Sequence, residues 1–250
     1  MSRRVSILVL FFSMARISIL AADTLASPDR SLHFVIQKGQ KAKFIEAFAI
    51  RDREAGRLRT ELDESIDLLR SQAGSTTDPQ VLKKTFKKVR DIQTQFSQIE
   101  VKFVQALQSI LTPSQLATFY LSGQVIRNVN DLQVPLIGLS GDGNTHSKKS
   151  LRNYIDISSA QEKMYSKAEN DFSNGIGELN TEISDIQRVL KEMLARHAAD
   201  QEIAPLMDKL LSDQNQLKGK WADYWGTTLP PIVGSAQCAR LYVLLRREAQ

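Results

Sequence analysis

Cysteine is nearly absent from this sequence, since Cys238 is the only one among 250 residues. A single cysteine cannot form an intramolecular disulfide, so the fold must be stabilised by its hydrophobic core. Glycine and proline are also sparse, with 12 and 7 residues, and aromatic residues make up only 7% of the chain. This shortage of helix breakers, beside long stretches rich in Glu, Lys, Arg, Gln and Leu, predicts a helical protein.

Residue patterns typical of catalysis or metal binding are missing as well. The three histidines, His33, His146 and His197, lie far apart in the sequence, and no His-x-x-x-His or Cys-x-x-Cys pair occurs. The glycines between 138 and 143 lack the strand and the Lys-Ser/Thr pair of a phosphate-binding loop. We therefore predict that the protein is not an enzyme and has no catalytic residue, metal ligand or cofactor.

The first 26 residues are predicted to form a signal peptide. Arg3 and Arg4 precede an apolar run from Val5 to Phe12, and Arg16 interrupts what would be a longer apolar stretch. Cleavage is expected between Ala15 and Ala26, with no choice among the sites, and an uncleaved anchor is the alternative. The mature protein is thus expected to be periplasmic or otherwise exported, with no integral membrane span after processing.

Net charge gives no sign of a nucleic-acid partner. The chain carries +5. Residues 1–22 contain three arginines and no acidic residue, so their removal lowers the net charge to about +2. This basic excess is too small to indicate nucleic-acid binding, and we expect no nucleic acid among the partners.

Seven-residue spacing of apolar residues predicts long helices. Phe48, Ala55, Leu62 and Leu69 mark the first helix (37–72), and similar spacing predicts helices over 80–109 and 158–196. A return helix is predicted over 206–225, with a turn before it marked by residues 198–202 and Pro205, and its end in the Gly- and Pro-containing stretch 226–231. The predicted fold class is all-α: two tandem long antiparallel helical hairpins, each closed by a short C-terminal helix.

The chain contains one pattern four times. An aliphatic residue is followed four positions later by Gln at Ile36, Leu111, Ile157 and Val233. The copies at Leu111 and Val233 are 122 residues apart, and those at Ile36 and Ile157 are 121 apart. A long helix, a turn and a return helix separate the two copies within each half, which indicates an internal duplication. We therefore assign a first unit (31–122), a linker (123–149) and a second, degenerate unit (150–250).

The copy that begins at Leu111 reads Leu-Thr-Pro-Ser-Gln and resembles the motif of the periplasmic LTxxQ family. That family includes the Spy and CpxP chaperones and the metal-responsive relatives ZraP and CnrX. Thr112 is a good N-cap, Pro113 suits the first helical position, and Gln115 is the expected capping-box partner. We expect the motif residues to be structural caps: Leu111, Thr112, Pro113, Gln115, Ile157, Ser158, Gln161, Val233 and Gln237.

The resemblance implies an all-helical, often dimeric cradle that holds unfolded proteins without ATP on a surface of basic and apolar residues. The candidate client-binding residues are Phe44, Phe48, Lys83, Lys84, Lys87 and Lys88. Phenylalanines at helical spacing also suit the hairpin's own core, which is the alternative role. The first unit has 14 Lys and Arg against 10 Asp and Glu, and the second has 12 against 14. Complementary packing of the two units fits this difference, whereas a homodimer is what the resemblance implies.

We expect an exported chaperone-like protein of the envelope stress response, whose partners are unfolded or envelope proteins. Two alternatives stay open. One is a periplasmic metal-responsive sensor or resistance protein, although the chain lacks the His-rich segments of such relatives. The other is a structural helical envelope protein without clients.

Overall fold

The computed structural model describes residues 24–26, 33–74, 78–122 and 155–248. Two short strands, β1 (Thr24–Ala26) and β2 (His33–Val35), pair in antiparallel register. The all-α prediction is confirmed, because every other regular element within these ranges is helical. The helices are α1 (Lys41–Ala73), α2 (Pro79–Ile110), α3 (Pro113–Leu121), α4 (Ser159–Ala195), α5 (Asp200–Asp223), a π-helical turn (Tyr224–Thr228), α6 (Pro230–Val233) and α7 (Ser235–Glu248). The predicted linker (123–149) and residues 1–23 of the predicted signal peptide lie outside the described residues.

α1 and α2 form the first long hairpin. Residue numbers run in opposite directions across their contact: Phe48 packs against Phe103 with ring centroids 4.8 Å apart, and Glu61 pairs with Lys88 at 3.3 Å. This antiparallel pairing follows from the apolar seam, because two long amphipathic helices joined by a short turn can bury their stripes only against each other.

α4 and α5 form the second hairpin, which an ion pair between Lys209 and Glu182 bridges at 2.6 Å. α5 begins at Asp200, six residues before the predicted start, and continues through Pro205. The predicted turn is therefore right at residues 198–199, which lie between α4 and α5, and wrong from Asp200 to Pro205. Pro205 lies exposed in the second turn of α5, which loses the backbone hydrogen bond that its missing N–H would have made.

The helical path after α5 also extends farther than predicted. The backbone N of Leu229 donates to the carbonyl of Tyr224 at 2.9 Å, which is the hydrogen bond of a π-helix. Pro230 stands in the first turn of α6, where a helix needs no N–H donor. Gly234 then separates α6 from α7 with a φ of 92°, a conformation that glycine adopts without strain.

The two short helices exchange places between the hairpins. α3 follows the first hairpin in sequence but packs on α4 and α5 of the second. α7 follows the second hairpin but packs on α1 and α2 of the first. Asp200 fixes one of these crossings, because its Oδ1 accepts from the backbone N of Ser114 at 2.9 Å and from the Ser114 hydroxyl at 2.5 Å. Each predicted closing helix is present. α7 closes the first hairpin, and α3 packs on the second while its Phe119 also contacts Phe44 and Phe48 of the first.

Two hydrophobic cores result from this exchange. One joins α1 and α2, near the turn between them, to α7 and the π-helical turn. The other joins the opposite end of the first hairpin to α3, α4 and α5. Both cores draw on residues of both units, so neither predicted unit completes a core by itself. None of the helices in the described ranges is both long and apolar enough to cross a membrane.

Candidate binding surfaces

Two glutamines of the repeated motif bind each other at the open end of the first hairpin. Gln40 Nε2 donates to Gln115 Oε1 at 2.9 Å, and Gln115 Nε2 donates to Gln40 Oε1 at 3.0 Å. Each Oε1 also accepts from the backbone N three residues earlier, from Gln37 at 3.0 Å and from Thr112 at 2.9 Å. We call Gln40 and Gln115 the amide pair.

Each Nε2 of the amide pair also binds the chain that precedes the other glutamine. Gln40 Nε2 donates to the carbonyl of Ile110 at 2.7 Å, and Gln115 Nε2 donates to that of Val35 at 2.8 Å. Thr112 Oγ1 accepts from the backbone N of Gln115 at 3.3 Å and completes a capping box at the start of α3. The motif of the first unit therefore connects β2, α1, α2 and α3.

In the second unit the motif copy at Ile157 caps a helix, and the two motif copies do not bind each other. Ser158 Oγ accepts from the backbone N of Gln161 at 3.2 Å, and Gln161 Oε1 accepts from the backbone N of Ser158 at 2.9 Å. Gln237 bends over Gly234, where a Cβ atom would lie 2.5 Å from its Oε1. No hydrogen bond joins Gln161 to Gln237, although both are described. Of the other motif residues, Leu111, Ile157 and Val233 are buried, and Pro113 stands in the first turn of α3.

The two candidate phenylalanines lie in the second core. Phe44 is 6% exposed, and its ring centroid lies 5.6 Å from Phe34, 4.8 Å from Phe48 and 5.8 Å from Phe119. Phe48 is partly buried and contacts Phe103. In this structure Phe44 is closed to a client, which matches the alternative role in the hairpin's own core.

The four candidate lysines are exposed on the first turns of α2. Lys87 pairs with Asp91 at 2.7 Å, and Lys88 pairs with Glu61. Lys83 and Lys84 have no carboxylate partner within the part of the chain that the structure describes. The structure therefore does not bring these lysines together with Phe44 and Phe48, which lie toward the other end of the hairpin.

A groove of about 520 Å³ lies between α4 and the segment from α5 to α6. Its surface is mainly apolar, and Phe172 stacks on Tyr224 in it with ring centroids 4.1 Å apart. Met164, 50% exposed, stands at one end. Charged side chains border this apolar floor, so the groove suits an amphipathic ligand. The lining residues are Met164, Lys167, Ala168, Asp171, Phe172, Gly175, Lys220, Asp223, Tyr224, Thr228 and Ile232.

Small residues and the π-helical turn open this groove. Ala168 and Gly175 add little side chain to the α4 wall, and a Cβ atom on Gly175 would lie 3.4 Å from Lys220 Nζ. The π-helical turn contributes Tyr224 and Thr228 to the facing wall, and such turns often accompany functional sites. No spacing within one helix could reveal the groove, because its walls come from segments about fifty residues apart.

The first hairpin has a smaller depression of about 340 Å³ at the repeat-equivalent place. Gln98, Val101 and Lys102 line it and lie 122 residues before three residues of the groove. Lys102 takes the place of Tyr224, so the stacked aromatic floor is missing there. The duplicated units thus differ at this surface.

Glu100 is a buried carboxylate held by an arginine. It is 3% exposed, and its Oε1 lies 3.0 Å from Arg51 Nε and 2.9 Å from Arg51 Nη2. Burial lowers the pKa of Lys218 on α5, and the nearby charge of Glu100 opposes that shift. Burial, and less strongly Glu100, raises the pKa of Tyr120 on α3. These charges therefore link both hairpins and α3 as a structural cluster.

α7 packs on the first hairpin through Tyr242 and Cys238. The Tyr242 ring lies 5.5 Å from that of Phe86, and Gln93 Nε2 donates to Tyr242 Oη at 2.8 Å. Cys238 is fully buried, and this burial raises the pKa of its thiol to about 12. The lone cysteine is thus packed as a small apolar residue.

Two polar atoms near α7 are buried without a hydrogen-bond partner in the described residues. They are Arg240 Nε on α7 and Trp225 Nε1 on the π-helical turn. A buried polar group without a partner costs about 1–3 kcal/mol. The packing of α7 is therefore less complete in its hydrogen bonds than that of α3.

The histidines lie apart in the structure as well. His33 belongs to β2, His197 is exposed in the turn after α4 with a φ of 53°, and His146 lies outside the described residues. No group of three or more His, Cys, Asp or Glu side chains within the described ranges is arranged to hold a metal ion.

Comparison of the chain with protein-family models, with curated proteins and with solved structures finds no match. The resemblance to the LTxxQ family therefore depends on the motif residues themselves and stays a prediction.

Proposed function

We propose that this protein is an exported, ATP-independent binding protein with chaperone-like activity in the envelope stress response, which holds unfolded or partner proteins on amphipathic helical surfaces. The observation that carries the proposal is the groove between α4 and α5, with its stacked aromatic floor and charged border. Apolar burial is not directional, so such a groove accepts apolar segments of many sequences. The exposed Met164 adds an adaptable side chain.

The predicted signal peptide and the LTxxQ-like motif support the same proposal, since both are features of periplasmic chaperones in the family that the motif resembles. A groove of this size accommodates only a few side chains, so binding is expected to be weak and reversible. The charged border contributes mainly to the rate of encounter.

Suppression of aggregation tests this function. Guanidinium-denatured malate dehydrogenase is diluted into buffer without ATP, and light scattering is followed with the protein at several-fold molar excess. We expect clear suppression by the wild type. No protection at that excess contradicts the proposal and favours the structural alternative. Tight stoichiometric binding of zinc, copper or nickel in calorimetry favours the metal-responsive alternative instead.

Two glycines of α4 provide a matched pair of variants. Gly175→Gln places a side chain in the groove against Lys220, whereas Gly177→Gln places it in open space. Both changes favour the helix, because glycine is a poor helix former. We expect Gly175→Gln to lose at least half of the protection and Gly177→Gln to keep it. Equal protection by the two variants would show that clients bind elsewhere.

A further inference from the structure

α7 covers a part of the first hairpin that has the composition of a binding surface. We define this covered face by Leu82, Phe86, Val89 and Gln93 of α2. The three apolar residues are at most 3% exposed and belong to the same core as α7. Tyr242 of α7 contacts Phe86 and accepts a hydrogen bond from Gln93.

The candidate lysines lie along the same turns of α2 as the covered face. Lys83, Lys84 and Lys87 are exposed and alternate in sequence with Leu82 and Phe86. Trp225 also packs on Phe86, with ring centroids 6.2 Å apart, so departure of α7 would uncover the side of Phe86 that Tyr242 contacts, together with Gln93. The ammonium groups of the neighbouring lysines would border this uncovered side. It would then combine basic and apolar groups, as the resemblance to the LTxxQ family implies for a client surface, with Phe86 in place of Phe44 and Phe48.

The contacts of α7 suggest easier separation from the hairpin than those of α3. Gly234 alone connects α7 to α6, and its φ of 92° is a conformation that glycine adopts without strain. Buried polar atoms of Arg240 and Trp225 lack partners in the described residues, so detachment of α7 would allow water to bind them. α3 instead has its capping box, the amide pair and Asp200.

We propose that the covered face is a second client-binding surface and that α7 is its built-in competitor. This inference rests on the proposed function. A client segment displaces α7 when it supplies the same contacts. Such a segment is apolar and aromatic and takes the place of the α7 residues around Tyr242. Acidic residues beside that run would add attraction to Lys83, Lys84 and Lys87. The preferred client is therefore an apolar segment with acidic flanks.

Cys238 reports the position of α7 in the unmodified protein. It is the only thiol of the chain and is fully buried beneath α7's contact with the hairpin. Its reaction with 5,5′-dithiobis(2-nitrobenzoate) is followed with and without a peptide that carries an apolar, aromatic run between Asp and Glu residues. We expect saturating peptide to accelerate labelling at least fivefold. The same run between Lys residues should change the rate less than twofold, and equal effects of the two peptides would overturn the acidic preference.

Two conservative variants separate detachment of α7 from global unfolding. Tyr242→Phe removes the hydrogen bond from Gln93, so we expect labelling several-fold faster without peptide. Tyr120→Phe, 122 residues earlier on α3, should leave the labelling rate unchanged, and the unfolding rate of each variant is measured by circular dichroism. Protection of denatured malate dehydrogenase without any change in Cys238 labelling overturns this inference and leaves the proposed function standing. Absence of protection overturns both.

Discussion

α3 and α7 occupy repeat-equivalent positions, and each packs on the hairpin of the other unit. α3 is held by directional bonds: a capping box, the amide pair and the Asp200 carboxylate on its first turn. α7 is held mainly by burial, begins after Gly234, and lies beside buried polar atoms without partners in the described residues. The two helices thus have apolar residues at equivalent positions, but they differ in the polar bonds around those residues. The difference is that directional polar bonds fix one crossing, whereas the other has few of them, and on this difference the proposed opening of the α7 crossing depends.

The largest expected difference is in the unfolding free energy lost when the central apolar residue of each helix is truncated. Phe119 is 1% exposed and packs on the rings of Phe34, Phe44 and Phe48. Phe119→Ala should lower the free energy of unfolding by about 3–5 kcal/mol in one cooperative transition. Leu241→Ala, at the equivalent place in α7, should lower it by only about 2 kcal/mol, because the proposed detachment of α7 would leave the rest folded. Urea denaturation and Cys238 labelling check this, and equal losses with a single transition would contradict it.

The amide pair should distinguish the motif copies. Gln115→Ala removes bonds to Thr112, Val35 and Gln40 and should cost about 2 kcal/mol of unfolding free energy, since these groups lose their partner. Gln237→Ala, at the equivalent position in the first turn of α7, should cost less than about 0.5 kcal/mol. Thermal and urea denaturation measure both. A comparable loss at Gln237 would show that the second unit has an equivalent bond.

Asp200 tests the crossing of α3 directly. Asp200→Ala removes a charged acceptor from two Ser114 donors and should cost about 1.5–2 kcal/mol. Asp208 offers the control, because its bond from Gln108 also joins the two units but is long, at 3.3 Å, and exposed. Asp208→Ala should cost less than about 0.5 kcal/mol. Equal costs in urea denaturation would mean that the bonds to Ser114 add nothing to stability.

Alkaline pH tests the packing of α7. The pKa of the Cys238 thiol rises from 9.0 to about 12 on burial, so the folded state holds this proton more tightly than the unfolded state. Its contribution to stability is complete below pH 9 and is lost as the pH rises toward 12, by at most about 1.4 kcal/mol per pH unit. The free energy of unfolding of the wild type, measured by urea denaturation, should therefore fall more steeply above pH 9 than that of Cys238→Ala. Parallel pH profiles would show that the thiol is hydrated.

Much of the architecture could be predicted from the sequence. The seven-residue spacing of Phe48, Ala55, Leu62 and Leu69 defines a stripe that only a long partner helix can cover, and the hairpins follow. Helix starts at Thr112 and Ser158 have local causes, because each cap residue binds a group three positions away. Such features depend on neighbours in sequence.

The exchange of α3 and α7 could not be predicted in this way. The apolar residues of α3 show that it must be buried, but they do not specify which hairpin buries it. Pro205 also misled the prediction, since its effect depends on its distance from a helix start that propensity alone does not locate. The groove, the amide pair and the burial of Phe44 all depend on segments far apart in the chain, which meet only after the hairpins pack.

The amide pair has one more consequence, for the alignment of the first hairpin. Helices whose apolar residues repeat every seven positions can slide by one repeat and still match their stripes. Gln40 and Gln115 can exchange bonds in one alignment alone, because each amide must also reach the backbone N–H three residues before it and a carbonyl near its partner. The amide pair can therefore form only when the lengths of α1 and α2 match. A single residue inserted in either helix would break these hydrogen bonds at the open end, far from the turn that joins the two helices.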